Sequence, residues 1–234
     1  MKGILFGDLE VKVDPAIRGI GGSFPRVGRD GTAHAYDPGL VKFVYGLLVQ
    51  LESPVLADIG ANTGSFTLLA KFVPGLRVVA FEPNPQVFKV LESHVRLNGI
   101  EELVELHNVA LMDKAGTGSL RVPKKHGLSG HGTLGDAPAL PSQSPVEVKV
   151  DTLDRVFRGG RLDVIKLDVE GAELFTIQGG RETIQRFKPQ IVYEQNDKAA
   201  RQFGYGVREV RSLLEEMGYR DFEDVGHEDV WARV

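Results

Sequence analysis

The chain has 234 residues, enough for one large domain or a domain with a small appendage. Its 42% hydrophobic and 26% charged residues are those of an ordinary globular protein, and a net charge of −4 excludes the strong positive field that holds a phosphate backbone. With no cysteine, disulfides, thiolate metal sites and cysteine nucleophiles are excluded together, in keeping with a reducing compartment.

The opening "MKGILFGDLEVKVD" has too short an apolar run for a signal-peptide h-region. Residues 1–36, with the glycine- and arginine-rich "RGIGGSFPRVGRDGT", show no periodicity and read as irregular. From Pro38 to Leu51, Leu40, Val41, Val44, Leu47, Leu48 and Leu51 recur at helical spacing and predict a packed amphipathic helix. This longest apolar stretch carries Lys42 and falls short of the roughly 20 residues a membrane span needs. The expectation is a cytoplasmic protein that does not engage a membrane.

An alternation follows. Val55–Ile59 reads as a strand, Ser65–Val73 as a helix, Arg77–Phe81 as a strand, and Pro85–Leu97 as a helix stopped by Asn98-Gly99. Leu103–His107 is a third strand; "RLDVIKLDV" (161–169), "QIVYEQ" (190–195) and a closing pair near 219–225 and 229–234 continue the series. Continuous apolar strands separated by amphipathic helices predict an α/β fold with a parallel sheet covered on both faces. Residues 112–151 break the pattern: "GTGSLRV" and "VEVKVDTL" read as strands around a long loop, and such a loop inside a compact domain is commonly functional. Residues 1–53 are expected to pack over the site of a domain spanning 54–234, with a variable substrate loop at 123–145.

Chemistry concentrates where strands end. "VLADIGANTGSF" runs a strand through Asp58 into Gly60, Asn62 and Gly64. Glycines there serve either a tight strand-to-helix turn or the close approach of backbone N–H groups to a ligand. In an open parallel sheet, ligands bind beyond the carboxyl ends of the strands. The spacing is not the G-x-G-x-x-G of dinucleotide binders, and Asp58 would repel a phosphate while favouring a cationic group such as an ammonium or a sulfonium. "VVAFEPNP" ends the next strand in Glu82, about 20 residues beyond the glycine turn, where an acid can accept both hydroxyls of a ribose. Glu82 and Asn84 also suit a helix N-terminus before Pro85. Asn108 and Val109 follow the third strand and would lie beside an adenine. "DVIKLDVEGAELF" buries Val164, Ile165 and Leu167, then places Asp168, Glu170 and Glu173 as exposed acids at the strand-to-helix turn; Glu194 ends the next strand at the same edge.

"DIGANTGSFT", "FEPNP", "NVAL", "VDTLD", "DVIKLDVEGAE" and "IVYE" occur in the order found in the FkbM family of S-adenosylmethionine-dependent methyltransferases, which the chain resembles from about Tyr36 to Glu194. The resemblance implies a class I methyltransferase fold, a Rossmann-like three-layer sandwich with a seven-stranded, mostly parallel sheet whose last strand is antiparallel. It also implies S-adenosylmethionine as cofactor. Asp58, Gly60, Asn62 and Gly64 would surround its methionine part, Glu82 its ribose, and Asp168 to Gly171 the turn facing the donor methyl. Hydroxyls of sugars and secondary metabolites are the implied acceptors. Thr63 departs from the apolar residue many members carry, and the 123–145 loop, where acceptor contacts are expected, is particular to this chain.

An alkyl hydroxyl needs a base to take its proton. Asp168 is the first candidate, with Glu194 and His131 behind it; His131 reads more readily as an ordinary exposed loop histidine than as the base, as does His34, while His94 and His107 read as structural or surface residues. Asp168, Glu194 and Asn196 offer oxygen ligands of the kind Mg²⁺ accepts, but a metal is not expected. A nicotinamide-dependent oxidoreductase or a non-catalytic cofactor-binding module are the alternatives; the partner is a small hydroxylated molecule, and a homo-oligomer is compatible with the sequence.

Overall fold

The computed structural model of the protein describes residues 1–19, 24, 26–123, 133–134, 143–226 and 228–234. Its centre is a seven-stranded sheet. The strands are β1 (Val55–Ile59), β2 (Arg77–Phe81), β3 (Val104–His107), β4 (Val164–Leu167), β5 (Gln190–Glu194), β6 (Asp221–Gly226) and β7 (Asp229–Arg233). They lie in the order β6-β7-β5-β4-β1-β2-β3. All pairings between β3 and β5 are parallel, whereas β7 runs antiparallel to both of its neighbours. The chain order reverses between β1 and β4, so both strands open at their carboxyl ends onto one crevice.

Alternation along the strands sorts side chains into two cores. Leu56, Val78, Ala80, Val164 and Val192 face one side, where they meet helix α1 (Pro38–Leu48), helix α2 (Pro85–Asn98) and the N-terminal segment. Ala57, Ile59, Val79, Phe81, Ile165, Leu167, Ile191 and Tyr193 face the other. That side is covered by α3 (Leu153–Val156), α4 (Glu173–Gly179), α5 (Arg181–Phe187), α6 (Asp197–Gln202) and α7 (Arg208–Glu216). Strands buried on both faces have no polar side to present, which is why the sequence shows them as unbroken apolar runs.

The helix starts and stops follow local chemistry. Asp37 caps α1 by accepting from the Leu40 N–H, Asn84 caps α2 from the Gln86 N–H, and Gly99 ends α2 in a left-handed conformation at φ 67°. Two expectations are corrected. The helix expected over Ser65–Val73 is a 3₁₀ helix of Thr67–Lys71. No side chain caps its start and Pro74-Gly75 follows closely, so no full α-helical run is nucleated. Residues 1–36 are not irregular throughout: Lys2–Ile4, Glu10–Lys12, Arg26–Val27 and Ala33–His34 pair as a small sheet. Its strands are too short to show a period of two, and it is fastened by Leu5, Val11, Val13 and Phe24 in the same core as α1.

The two strands expected within 112–151 are present as Gly116–Pro123 and Gln143–Asp151, paired antiparallel. Thr133–Leu134 adds to the outer side of this hairpin, and most of the 123–145 loop, including His131, lies outside the described residues. Among the described residues, no helix is long and apolar enough to cross a membrane.

Candidate active site

The turn after β1 is built by its contact with the turn after β4. A Cβ placed on Gly60, at φ +79°, would fall 1.8 Å from the Asp168 carbonyl oxygen, and one on Gly64, at φ +97°, would meet Leu91 Cδ1 at 2.6 Å. Gly60 and Ala61 donate their N–H groups to the Phe81 carbonyl, at 3.0 and 2.9 Å, joining this turn to the end of β2. Both glycines therefore serve the close packing of chain against chain, whatever else the turn holds. His94 of α2, fully buried, places Nδ1 2.7 Å from the Thr63 carbonyl oxygen and so braces the same turn from below. That contact fixes His94 as structural.

Two acids at this edge have different partners. Asp58 is buried, and its Oδ2 accepts from Thr67 Oγ1 at 2.5 Å; burial pushes its carboxyl up to about 6 against the pull of Thr67 and Lys166. Glu82 is 5% exposed; Oε2 accepts the Asn62 N–H at 2.9 Å and Oε1 the Asn84 N–H at 2.8 Å. Burial still pushes it up to about 7. Asn84 spends its side-chain oxygen on the Gln86 N–H, while its Nδ2 is buried with no hydrogen-bond partner. Asn62 turns its side-chain oxygen back onto the Thr63 N–H. Asn108 donates Nδ2 to the carbonyls of Glu82 and Pro83, a brace for the β2 end, and Val109 is buried in the core beneath it. His107 stacks on Phe81 with ring centroids 5.1 Å apart and places Nε2 2.8 Å from Glu105 Oε1.

The turn after β4 separates acids that the sequence groups together. Asp168 donates its backbone N–H to the Ile59 carbonyl, while its side chain is 45% exposed at the site edge. Glu170 takes a left-handed φ of 56° and Gly171 one of 104°. Glu173, expected to be exposed, is buried instead. Its Oε1 lies 3.2 Å from both the Val169 and Gly171 N–H groups, and its Oε2 lies 3.1 Å from the Tyr205 hydroxyl, which is also 2.9 Å from the Gly171 carbonyl. Glu173 folds the turn; it does not face a ligand. At the end of β5, Glu194 is half-buried with Oε2 unpartnered, and burial beside Asp168, Glu170 and Glu173 pushes it up to about 8. Asn196 caps α6 through the Ala199 N–H. Among the described residues, no group of three or more histidine, aspartate or glutamate side chains is placed to hold a metal ion.

The residue that sequence reasoning passed over is Lys166. Its ammonium is 1% exposed, 3.6 Å from Asp168 Oδ2 and 3.4 Å from Asp229 Oδ1. The available signal was a lysine inside the otherwise buried strand "DVIKL", since a lysine is almost never fully buried unless paired.

Residues 58–220 match the family model described as the methyltransferase FkbM domain. Methyltransferase sdnD of Sordaria araneosa is 28% identical over 219 residues, covering 80% of this chain and 78% of that protein. The 2-O-methyltransferase NoeI of Sinorhizobium fredii is 27% identical over 190 residues, 71% of this chain and 73% of that one. In fold, the chain is similar to the crystal structure of methyltransferase FkbM from Methylobacillus flagellatus, with a TM-score of 0.57 at 18% identity. That likeness covers 83% of this chain and 47% of the other, so the chain spans about half of that structure. A putative caffeoyl-CoA O-methyltransferase from Staphylococcus aureus aligns with a TM-score of 0.50 at 12% identity, covering 89% of this chain and 84% of that one. The class I methyltransferase sandwich implied by the sequence is the fold observed, and methyl transfer displaces the oxidoreductase and non-catalytic alternatives. With the family model matching residues 58–220, well over half of its length, the chain belongs to the FkbM methyltransferase family.

Proposed function

We propose that the protein uses S-adenosylmethionine to methylate a hydroxyl oxygen of a small polyhydroxylated molecule. The observation that carries the cofactor assignment is the β2 end: a buried carboxylate, Glu82, beside the orphaned amide Nδ2 of Asn84. A ribose hydroxyl can donate to the remaining lone pairs of the one and accept from the other. Asp58 and Asp168, on the adjoining strand ends, supply the negative environment that a cationic cofactor fits. When bound, the cofactor supplies an electrophilic methyl group on a sulfonium whose positive charge disappears on transfer. The oxygen acceptor is carried over from NoeI, a 2-O-methyltransferase, and from the preference of carboxylate-rich clefts for hydroxyl donors.

Asp168 is the base of this reading. Its backbone is fixed by the bond to Ile59 while its carboxylate reaches the open edge, so it can accept the acceptor's hydroxyl proton as the oxygen–carbon bond forms. Glu194, with its carboxyl pushed up to about 8, carries a proton at neutral pH and can donate a hydrogen bond that orients the acceptor. His131 stays as the reserve candidate for a base.

A screen of hydroxylated metabolites for release of S-adenosylhomocysteine tests the reaction, and calorimetry with S-adenosylmethionine against NAD tests the cofactor. Binding of NAD alone would overturn the cofactor assignment. Release only with amine acceptors would overturn the oxygen assignment.

A further inference from the structure

Lys166 lies where the two halves of the site meet. In register it stands opposite Asp58 on β1 and opposite Val192 on β5, while Glu194 stands opposite Asp229 on β7. Asp58, Lys166, Glu194 and Asp229 alternate in step with Leu56, Val164, Val192 and Trp231, so they project from the same face of the sheet, toward α1. The lysine reaches across β5 to come within 3.4 Å of Asp229, while Asp168, two residues further along its own chain, lies 3.6 Å away. Phe66 closes the cluster from the cofactor turn, its ring centroid 5.4 Å from the ammonium. The ammonium nitrogen, Asp229 Oδ1 and Glu194 Oε2 are all buried without a hydrogen-bond partner, so charge rather than a bonding network holds them together.

A lysine this deeply buried pays a desolvation penalty that the facing acids must offset. Asp168, Asp229 and Asp58 attract it, Glu194 joins them once ionised, and their combined pull holds the ammonium above its ordinary value despite burial. Further acids face Glu194 from the β4 turn and α4, namely Glu170 and Glu173, and Asp37 at the start of α1 faces Asp229. The acids outnumber the lysine, so each competes for the same ammonium.

We propose that Lys166 is a positioning residue for methyl transfer, a shared internal counter-ion whose ammonium holds the acids of the cofactor side (Asp58, Asp168) and the acceptor side (Glu194, Asp229) in one electrostatic unit. This rests on the methyltransferase reading of the site for its purpose, but the linkage itself exists in the ligand-free protein. The position of the ammonium sets how readily each acid holds its proton, so a change at one side of the crevice is felt at the other.

Carbon-13 carboxylate NMR titration of the ligand-free protein tests it. Lys166→Met should raise the titration midpoints of Asp58, Glu194 and Asp229 together, by about 1 to 3 pH units, the usual effect of losing an opposite charge at this range. Lys166→Arg should bring them back most of the way, which a lysine kept for packing alone would not do. Asp229→Asn keeps the lysine and serves if Lys166→Met does not fold: with one competitor gone, the ammonium turns to the others and Glu194 titrates lower. Midpoints unchanged in either variant would overturn the linkage. Calorimetry with S-adenosylhomocysteine on the same samples separates the two readings: absence of binding to the unaltered protein removes the cofactor assignment and leaves the linkage to be judged by the titrations.

Discussion

Glu82, buried, and Glu194, half-buried, are both acids with raised affinity for protons, but they differ in what surrounds them. Glu82 is clamped by two backbone N–H groups, so its geometry is preset for a ligand that donates to it. Glu82→Ala should weaken S-adenosylmethionine binding about tenfold to a hundredfold, the size of a lost charge-assisted pair of 1.5–3 kcal/mol. Unchanged affinity by calorimetry in a folded protein would remove the ribose role. Asp168→Asn keeps shape but not basicity, so turnover should fall by about 10²–10⁴, far more than cofactor affinity. Near-normal turnover would remove Asp168 as the base. Glu194 has no backbone clamp on Oε2, and burial, together with the like charges around it, pushes its carboxyl up to about 8. As a hydrogen-bond donor it should lose its role when ionised, so turnover should decline as pH rises through about 8. Glu194→Gln, which keeps a donor, should remove that decline. A rate that climbs through the same range would make Glu194 the base instead.

At the scale of elements, the decisive contact is between two turns. The left-handed turn after β1 and the backbone after β4 approach so closely that Gly60 has no room for a Cβ. Gly60→Ala combines a disfavoured φ with an overlap against a carbonyl that cannot swing away, and should cost at least about 1–3 kcal/mol. Gly46, in the middle of α1, has open space where a Cβ would stand. Gly46→Ala should stabilise by about 0.4–1 kcal/mol through the unfolded chain and the better helix propensity of alanine. Thermal unfolding of the pair checks both signs in one experiment. Equal effects would mean that the turns are not in contact as described. The missing α-helix after the glycine turn belongs to the same scale, since a short 3₁₀ segment still delivers Thr67 to Asp58 and buries Leu68 and Leu69.

For the whole molecule, the site makes stability depend on pH. Asp58, Glu82 and Glu194 bind protons more tightly folded than unfolded, at about 6, 7 and 8. Each therefore contributes stability that is complete below its unfolded value and is lost as pH rises through the folded one. His94 works the other way: burial lowers it below 6.5, so its contribution is lost as pH falls. Above about pH 6.5 the acids act alone, and the melting temperature of the ligand-free protein should fall from there to about pH 8.5. Glu194→Gln should flatten the upper part of that fall. A melting temperature that rises over this interval would show that the acids are not buried as described.

The order of strands and helices, the caps at Asn84 and Gly99, the acid at the end of β1, β2, β4 and β5 and the family itself could all be read from the sequence, because periodicity and turn chemistry act over a few residues. Asp58, Glu82, Asp168 and Glu194 do converge on one edge, as their shared place after parallel strands requires. The pairing of the N-terminal segment could not be read, since two- and three-residue strands carry no period. Nor could the burial of Glu173, which depends on Tyr205 from a distant helix connection. The same holds for the reason for Gly60, which is a carbonyl more than a hundred residues away. Lys166 shows the limit most plainly. A strand reveals which side chains share a face, but only the order of strands in the folded sheet puts one lysine within reach of acids from β1, β5 and β7, because their Coulomb interaction depends on distances that sequence separation does not contain.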